Sequence, residues 1–126
     1  MSEDELSHHI ISAAIEVHRT LGGPGLLESV YEEALVWELQ QRGFTVERQK
    51  QLPIYYKETV LADPLRLDIV VDNQVIIECK AVATYHSIFE AQAYTYLKIT
   101  GLRLALVINF GEKYVKNGIH RVVNGL

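Results

Sequence analysis

Three residues in the middle of the chain have the types and spacing to act together: Asp68, Glu78 and Lys80. Asp68 interrupts the apolar run Leu67-Asp68-Ile69-Val70-Val71, and Val75-Ile76-Ile77 runs straight into Glu78-Cys79-Lys80. Both runs have the β-branched character of sheet strands. An ionised carboxylate at the end of a buried strand is costly unless a cation or metal compensates it.

The connection Asp72-Asn73-Gln74 decides whether the two anomalies meet. A three-residue loop pairs Val71 with Val75 and sets Asp68 opposite Glu78 and Arg66 opposite Lys80. Side-chain alternation then projects Asp68, Glu78 and Lys80 from one face. A two-residue loop would slip the register by one and separate the acids. Three-residue hairpin loops are common, so the convergent register is reasonable without being forced.

Two facing carboxylates without a partner repel, and one tends to hold a proton. A divalent metal removes the conflict. Oxygen-only ligands suit Mg²⁺ or Mn²⁺, with the Cys79 backbone carbonyl and waters able to complete an octahedron. Lys80 could orient or help deprotonate an attacking water, or neutralise charge growing on a phosphoryl oxygen. The set suits metal-assisted hydrolysis of a phosphodiester. The plain alternative is that Glu-x-Lys is frequent on solvated strand faces, so the pair acquires meaning only from the aspartate aligned with it.

The elements that must position these residues follow from the flanking sequence. Ser2 and Glu5 have capping-box spacing, and Ile10, Ala14, Val17, His18 and Leu21 recur at helical intervals. That helix must stop at Gly22-Gly23-Pro24-Gly25. A second helix is expected from about Leu26 to Arg42, with Gly43 as its cap. Strands are expected at 44–50, 53–56, 60–62, 66–71 and 75–80. A third helix spans 87–100, opened by a second capping box of Ser87 and Glu90 and closed by Gly101. Leu102–Phe110 is almost continuously apolar, as in a strand buried on both faces, and its order after a strand and a helix implies a right-handed parallel crossover. Asn117-Gly118 signals a small terminal hairpin. The expected order is ααββββαβ plus a C-terminal hairpin: an α/β sandwich, with a mixed β-sheet flanked by helices.

Size and composition bound the rest. The 126 residues suit one domain, 1–126, and 48% hydrophobic residues are enough for a core rather than disorder. No internal repeat or low-complexity tract interrupts them. The longest apolar runs, such as Leu104–Ile108, fall far short of the ~20 residues of a membrane span. One cysteine allows neither an intramolecular disulfide nor a cysteine-ligated zinc site. The opening Met1-Ser2-Glu3-Asp4-Glu5 is acidic and polar, with no apolar signal segment behind it, so the expected location is the cytoplasm. Twelve Lys and Arg against sixteen Asp and Glu leave a formal charge of −4, awkward for a protein that holds nucleic acid by charge alone.

Asp68 followed by Glu78-Cys79-Lys80 resembles the PD-(D/E)XK nuclease superfamily, and Gly25-Leu26-Leu27-Glu28-Ser29-Val30-Tyr31 looks like the signature of the GxxExxY proteins. The likeness runs from about Ile10 to Val123 and takes in Pro53–Lys57, Arg66-Leu67-Asp68, Gln92 with Tyr96, and Ile108-Asn109-Phe110-Gly111. It implies a restriction-endonuclease-like core, with Asp68 and Glu78 as metal ligands and Lys80 as the catalytic lysine. It adds Glu28, matching an acid supplied by the first core helix, as a further ligand. It also adds Gln92 and Tyr96, matching a Gln-x-x-x-Tyr element beside the site. Cys79 stands where an aliphatic residue is common, and alternation points it into the core. Leu67 precedes the aspartate where proline is an alternative.

Each added residue also has a plain structural role. Glu28 suits the first turn of any helix, Tyr31 suits packing, and Gln92 with Tyr96 suits a buried hydrogen-bonded pair. His18 reads as a core histidine, while His8 and His9 read as solvated. Nothing in the spacing recruits His86, and Arg48, Lys50 and Lys57 form a modest basic cluster that fits a solvated face or a phosphate contact.

The expected function is Mg²⁺- or Mn²⁺-dependent hydrolysis of phosphodiester bonds in DNA, by endo- or exonucleolytic attack. The alternatives are a catalytically weak or inactive nucleic-acid-binding module of the same fold, and a protein-interaction subunit. The chain is barely larger than the fold core, so a homodimer or a protein partner is expected to supply further DNA-contact surface. Charge is a poor guide at a site that holds metal between protein and phosphate.

Overall fold

The computed structural model describes residues 1–126. Helix α1 covers Glu3–Leu21, with the Ser2 hydroxyl accepting from the Glu5 N–H, and Gly22 ends it in the left-handed region at φ 96°. Helix α2 covers Glu28–Gln41 and starts two residues later than expected because Leu27 is extended. Strands β1 (Val46–Leu52), β4 (Leu65–Val71) and β5 (Val75–Lys80) lead to α3 (Ile88–Thr100), β6 (Leu104–Asn109) and β7 (Ile119–Val123). The short β2 (Tyr55–Tyr56) and β3 (Thr59–Val60) pair only with each other. Five strands therefore precede α3, matching the five segments expected, and two of them stand outside the main sheet.

The main sheet has the order β1-β4-β5-β6-β7. β5 and β6 run parallel, joined across α3 as the buried run at 102–110 predicts, and the other pairs are antiparallel. The sheet is mixed and covered on both faces. Val75, Ile77, Leu104, Leu106 and Ile108 pack with α1 and α2, while Val70, Ile76, Ala105 and Val107 pack with Ala93 and Leu97 of α3. Each fully buried Leu or Ile in these layers contributes roughly 1.5–3 kcal/mol relative to exposure, and the two layers fix β5 as the centre of the molecule.

Two local expectations are corrected. Ser87 does not cap α3: its backbone is already helical at φ −61°, ψ −17°, and its side chain makes no capping bond. The Ile88 N–H donates instead to His86 Nδ1 at 3.1 Å, which gives the otherwise unassigned His86 a structural task. The Asn117-Gly118 hairpin is also absent, since Val115–Gly118 forms a 3₁₀ turn and β7 pairs back onto β6. A Cβ on Gly118 would lie 2.4 Å from the Asn109 carbonyl oxygen, so glycine here answers a close approach rather than a two-residue turn.

Candidate active site

The loop that sets the register has the three-residue form. Val71 pairs with Val75, Val70 with Ile76, and Ile69 with Ile77. Asp72 and Asn73 both take left-handed conformations, at φ 50° and 54°, which their short polar side chains tolerate. The Asp72 carboxylate also accepts from the Thr45 N–H at 2.8 Å, tying the turn to the start of β1.

The ladder ends at Ile69 and Ile77, so Asp68 is not cross-strand paired with Glu78, nor Arg66 with Lys80. β4 and β5 part there, and the Cys79 N–H donates to Asp68 Oδ2 at 2.9 Å across the gap. Alternation slips at the same point: Ile69 and Val71 belong to the α1–α2 layer, whereas Leu65 and Leu67 belong to the α3 layer. Gln49, in β1 beside this slip, takes φ 53°, and its amide nitrogen reaches both Glu32 oxygens at 3.0 Å and Asp68 Oδ1 at 3.5 Å. Backbone strain of order 1–3 kcal/mol for such a residue is sustained where surrounding contacts fix it.

The gap between the strands opens into a cavity of about 110 Å³. Glu28, Asp68, Glu78, Lys80, Gln92 and Tyr96 all line it, and Arg66 and Phe89 complete its wall. Four hollows elsewhere are larger, at about 700, 460, 350 and 190 Å³, so chemistry rather than volume marks this one. Phe89, Gln92 and Tyr96 lie on one face of α3 by their i, i+3, i+7 spacing. The Lys80 ammonium stands 4.5 Å from the centre of the Phe89 ring, a cation–π contact that limits where it can swing.

The sequence signatures around the cavity have mechanical explanations. Tyr31 is buried, stacks on Phe110 with 4.8 Å between ring centres, donates to the Gly23 carbonyl at 2.7 Å and accepts from the Leu26 N–H at 3.1 Å. It pins the glycine loop that delivers Glu28 at the start of α2. Buried Asn109 accepts from the N–H groups of Val82 and Gly111 and donates to the Val82 carbonyl, each at 3.0 Å. A Cβ on Gly111 would meet the Val82 oxygen at 2.2 Å. Asn109-Phe110-Gly111 thus clamps the segment that leaves Lys80 for α3. His18 is a core histidine, its Nε2 3.1 Å from the Phe110 carbonyl oxygen, and His8 and His9 are exposed.

Electrostatics separate the carboxylates. Glu78 is buried and its Oε1 has no hydrogen-bond partner. Burial first, and the Asp68 charge second, push its carboxyl up to about 9. Glu28, at the more open side, is raised by partial desolvation and then by Asp68. Desolvation and the charges of Glu78 and Asp68 also raise the Tyr96 phenol, keeping it a neutral donor.

Residue spacing did not single out Glu32. It is buried, ion-paired with Arg48 at 2.7 Å, and forms with Asp68 and Cys79 a group whose ligand atoms lie within 4.8 Å of one another. Its position one helical turn after Glu28 is the signal that could have found it. Arg48, read earlier as a surface or phosphate contact, is the counter-ion of this buried acid.

These groups meet several requirements of a hard divalent cation. The cavity presents carboxylate oxygens of Asp68, Glu78 and Glu28, and one buried carboxylate oxygen lacks any partner. The neighbouring group fits less well, because burial pushes the Cys79 thiol far up and Arg48 and Gln49 already occupy Glu32.

A helix-flanked mixed sheet, with acids and a lysine where its central strands part, defines a restriction-endonuclease-like fold. The sequence profile of the PD-(D/E)XK nuclease superfamily matches residues 4–122, and the chain belongs to that superfamily. No curated protein and no solved structure matches it significantly. No helix is long and apolar enough to cross a membrane.

Proposed function

We propose that this protein hydrolyses phosphodiester bonds in DNA with the help of Mg²⁺ or Mn²⁺. The observation that carries the proposal is Glu78, a buried carboxylate with an unpartnered oxygen, beside Asp68 and Lys80 in one cavity. Asp68, Glu78, Glu28 and the Cys79 backbone carbonyl would hold the cation. When bound, it would supply charge neutralisation at the phosphate and acidify water.

The protein's own groups account for the rest. Lys80, restrained by Phe89, offers its ammonium to charge developing on a phosphoryl oxygen and orients the attacking water. Gln92 and Tyr96 present neutral donors that position the phosphodiester. Gln49 and the Cys79 N–H hold the Asp68 carboxylate in place. We read residues 1–126 as a single domain of the GxxExxY group, acting in the cytoplasm; Gly25, Glu28 and Tyr31 support the subgroup through the pinned loop.

Incubating supercoiled and single-stranded DNA with the protein and Mg²⁺ or Mn²⁺ tests the proposal. Cleavage no greater than that by Asp68→Ala would sink it. A second reading, a weakly active subunit that works within a complex, draws on Trp37, 60% exposed in the hollow between α1 and α2. Metal titration separates them: an active site binds Mn²⁺ stoichiometrically and loses it in Glu78→Gln.

A further inference from the structure

A second cleft, of about 460 Å³, lies between the end of α1 and the segment after β6. Arg19, Lys113 and Lys116 line it, together with Tyr114, and no carboxylate does. This concentration is unusual for the chain, which has only twelve Lys and Arg against sixteen acids. Arg19 also pairs with Glu16 on its own helix, so the two lysines, which have no ion-pair partner, provide the uncompensated charge. Tyr114 is 57% exposed, with the Lys113 ammonium 5.4 Å from its ring centre.

Topology sets this cleft at the end of the sheet that carries the carboxylate cavity. β5 and β6 are parallel, and Lys80 is in register with Asn109, so both strands finish on the same side. Lys113 follows Asn109 by four residues. The cleft's other wall includes Gly22 and Gly23, the start of the loop that Tyr31 pins on its way to Glu28. The basic cleft and the acidic cavity thus draw on the same segments: Tyr31, one turn after Glu28, holds the Gly23 carbonyl of the cleft wall and stacks on Phe110.

We propose that this cleft grips a single-stranded segment of the nucleic acid, its phosphates against Lys113, Lys116 and Arg19 and one base stacked on Tyr114. The proposal rests on the hydrolytic function above and assigns a binding site for the strand beside the scissile position. An exposed aromatic ring among cations favours a single strand over an acidic peptide, because an unstacked base supplies a π-face and a phosphate together. A duplex hides that face.

Fluorescence anisotropy of a labelled single-stranded oligonucleotide, in chelator and across a salt series, tests it. The double variant Lys113→Ala/Lys116→Ala should weaken binding about tenfold or more at low salt. It should also reduce the slope of log affinity against log salt by about 1.4, two contacts at ~0.7 each. Tyr114→Ala should weaken binding about tenfold with the slope unchanged, and Lys113→Arg/Lys116→Arg should retain both affinity and slope. Unchanged affinity in the double alanine variant would overturn the proposal, as would displacement of the oligonucleotide by polyglutamate at matched charge. Loss of binding in that variant without cleavage under any metal would keep the cleft and remove the hydrolytic function. Cleavage with no binding effect would do the reverse.

Discussion

Two glutamates flank Asp68 with almost the same burial and opposite fates. Glu32 is 4% exposed and Glu78 is 7% exposed. Glu32 receives Arg48 at 2.7 Å and two hydrogen bonds from Gln49. Glu78 has an oxygen with no partner at all, and burial beside Asp68 pushes its carboxyl up to about 9. A compensated buried acid is part of the scaffold. An uncompensated one stores unfavourable desolvation that a cation can relieve: Lys80 shares the cavity without pairing with Glu78, so what distinguishes the two is a hydrogen-bonded counter-ion, not depth.

The sharpest way to break this comparison is at the centre. Asp68→Ala removes the carboxylate between both glutamates, and DNA cleavage should fall by about three orders of magnitude; gel assays of supercoiled substrate read it directly.

The next effect is on stability against pH. Because the folded-state pKa of Glu78 is raised from 4.5 to about 9, its penalty is absent below 4.5, grows as pH rises and levels off above about 9. In chelator, Glu78→Gln should therefore be more stable than the natural protein by on the order of 3 kcal/mol at pH 7, and equally stable near pH 4. Urea unfolding at the two pH values checks this. An unchanged difference would mean that Glu78 is compensated after all.

Glu32→Gln should act in the opposite direction, costing about 1–2 kcal/mol by leaving half-exposed Arg48 unpaired. Mn²⁺ stoichiometry should be unchanged, as calorimetric titration would show. The smallest effect belongs to Phe89→Leu, which removes a cation–π contact of about 0.5–1 kcal/mol from Lys80. It should lower kcat by less than about tenfold with little change in KM.

Much of this arrangement was legible in the chain because local chemistry dictates it. Asp72-Asn73-Gln74 names its own turn, which fixes Val71 against Val75. Ser2 and Gly22 mark both ends of α1, and the apolar run at 104–109 marks a strand with no solvent face. Illegible features depend on residues distant in sequence or, at the start of α3, on a neighbour of a type that does not usually cap a helix. Nothing in Ser87 foretells that His86 will cap α3, and Asn117-Gly118 imitates a hairpin turn although Gly118 is needed for its approach to the Asn109 carbonyl. The slip of alternation at Asp68 is invisible too, because it arises where β4 leaves β5 and Gln49 of β1 adopts its left-handed conformation. Expecting Asp68 and Glu78 as a cross-strand pair was therefore too regular; they meet where regular pairing stops.

The clamp at Asn109 also bears on the order in which the molecule is made. Asp68, Glu78 and Lys80 all precede Asn109 in the chain, and the β4–β5 pairing is local in sequence. Yet β5 lacks its second neighbour until β6 arrives, and the segment after Lys80 is secured only when Asn109 bonds Val82 on both sides. A nascent chain thus carries all three central charged residues without the bracing that aligns them. Alignment of the cavity therefore depends on a contact made across 27 residues of sequence, from Asn109 back to Val82.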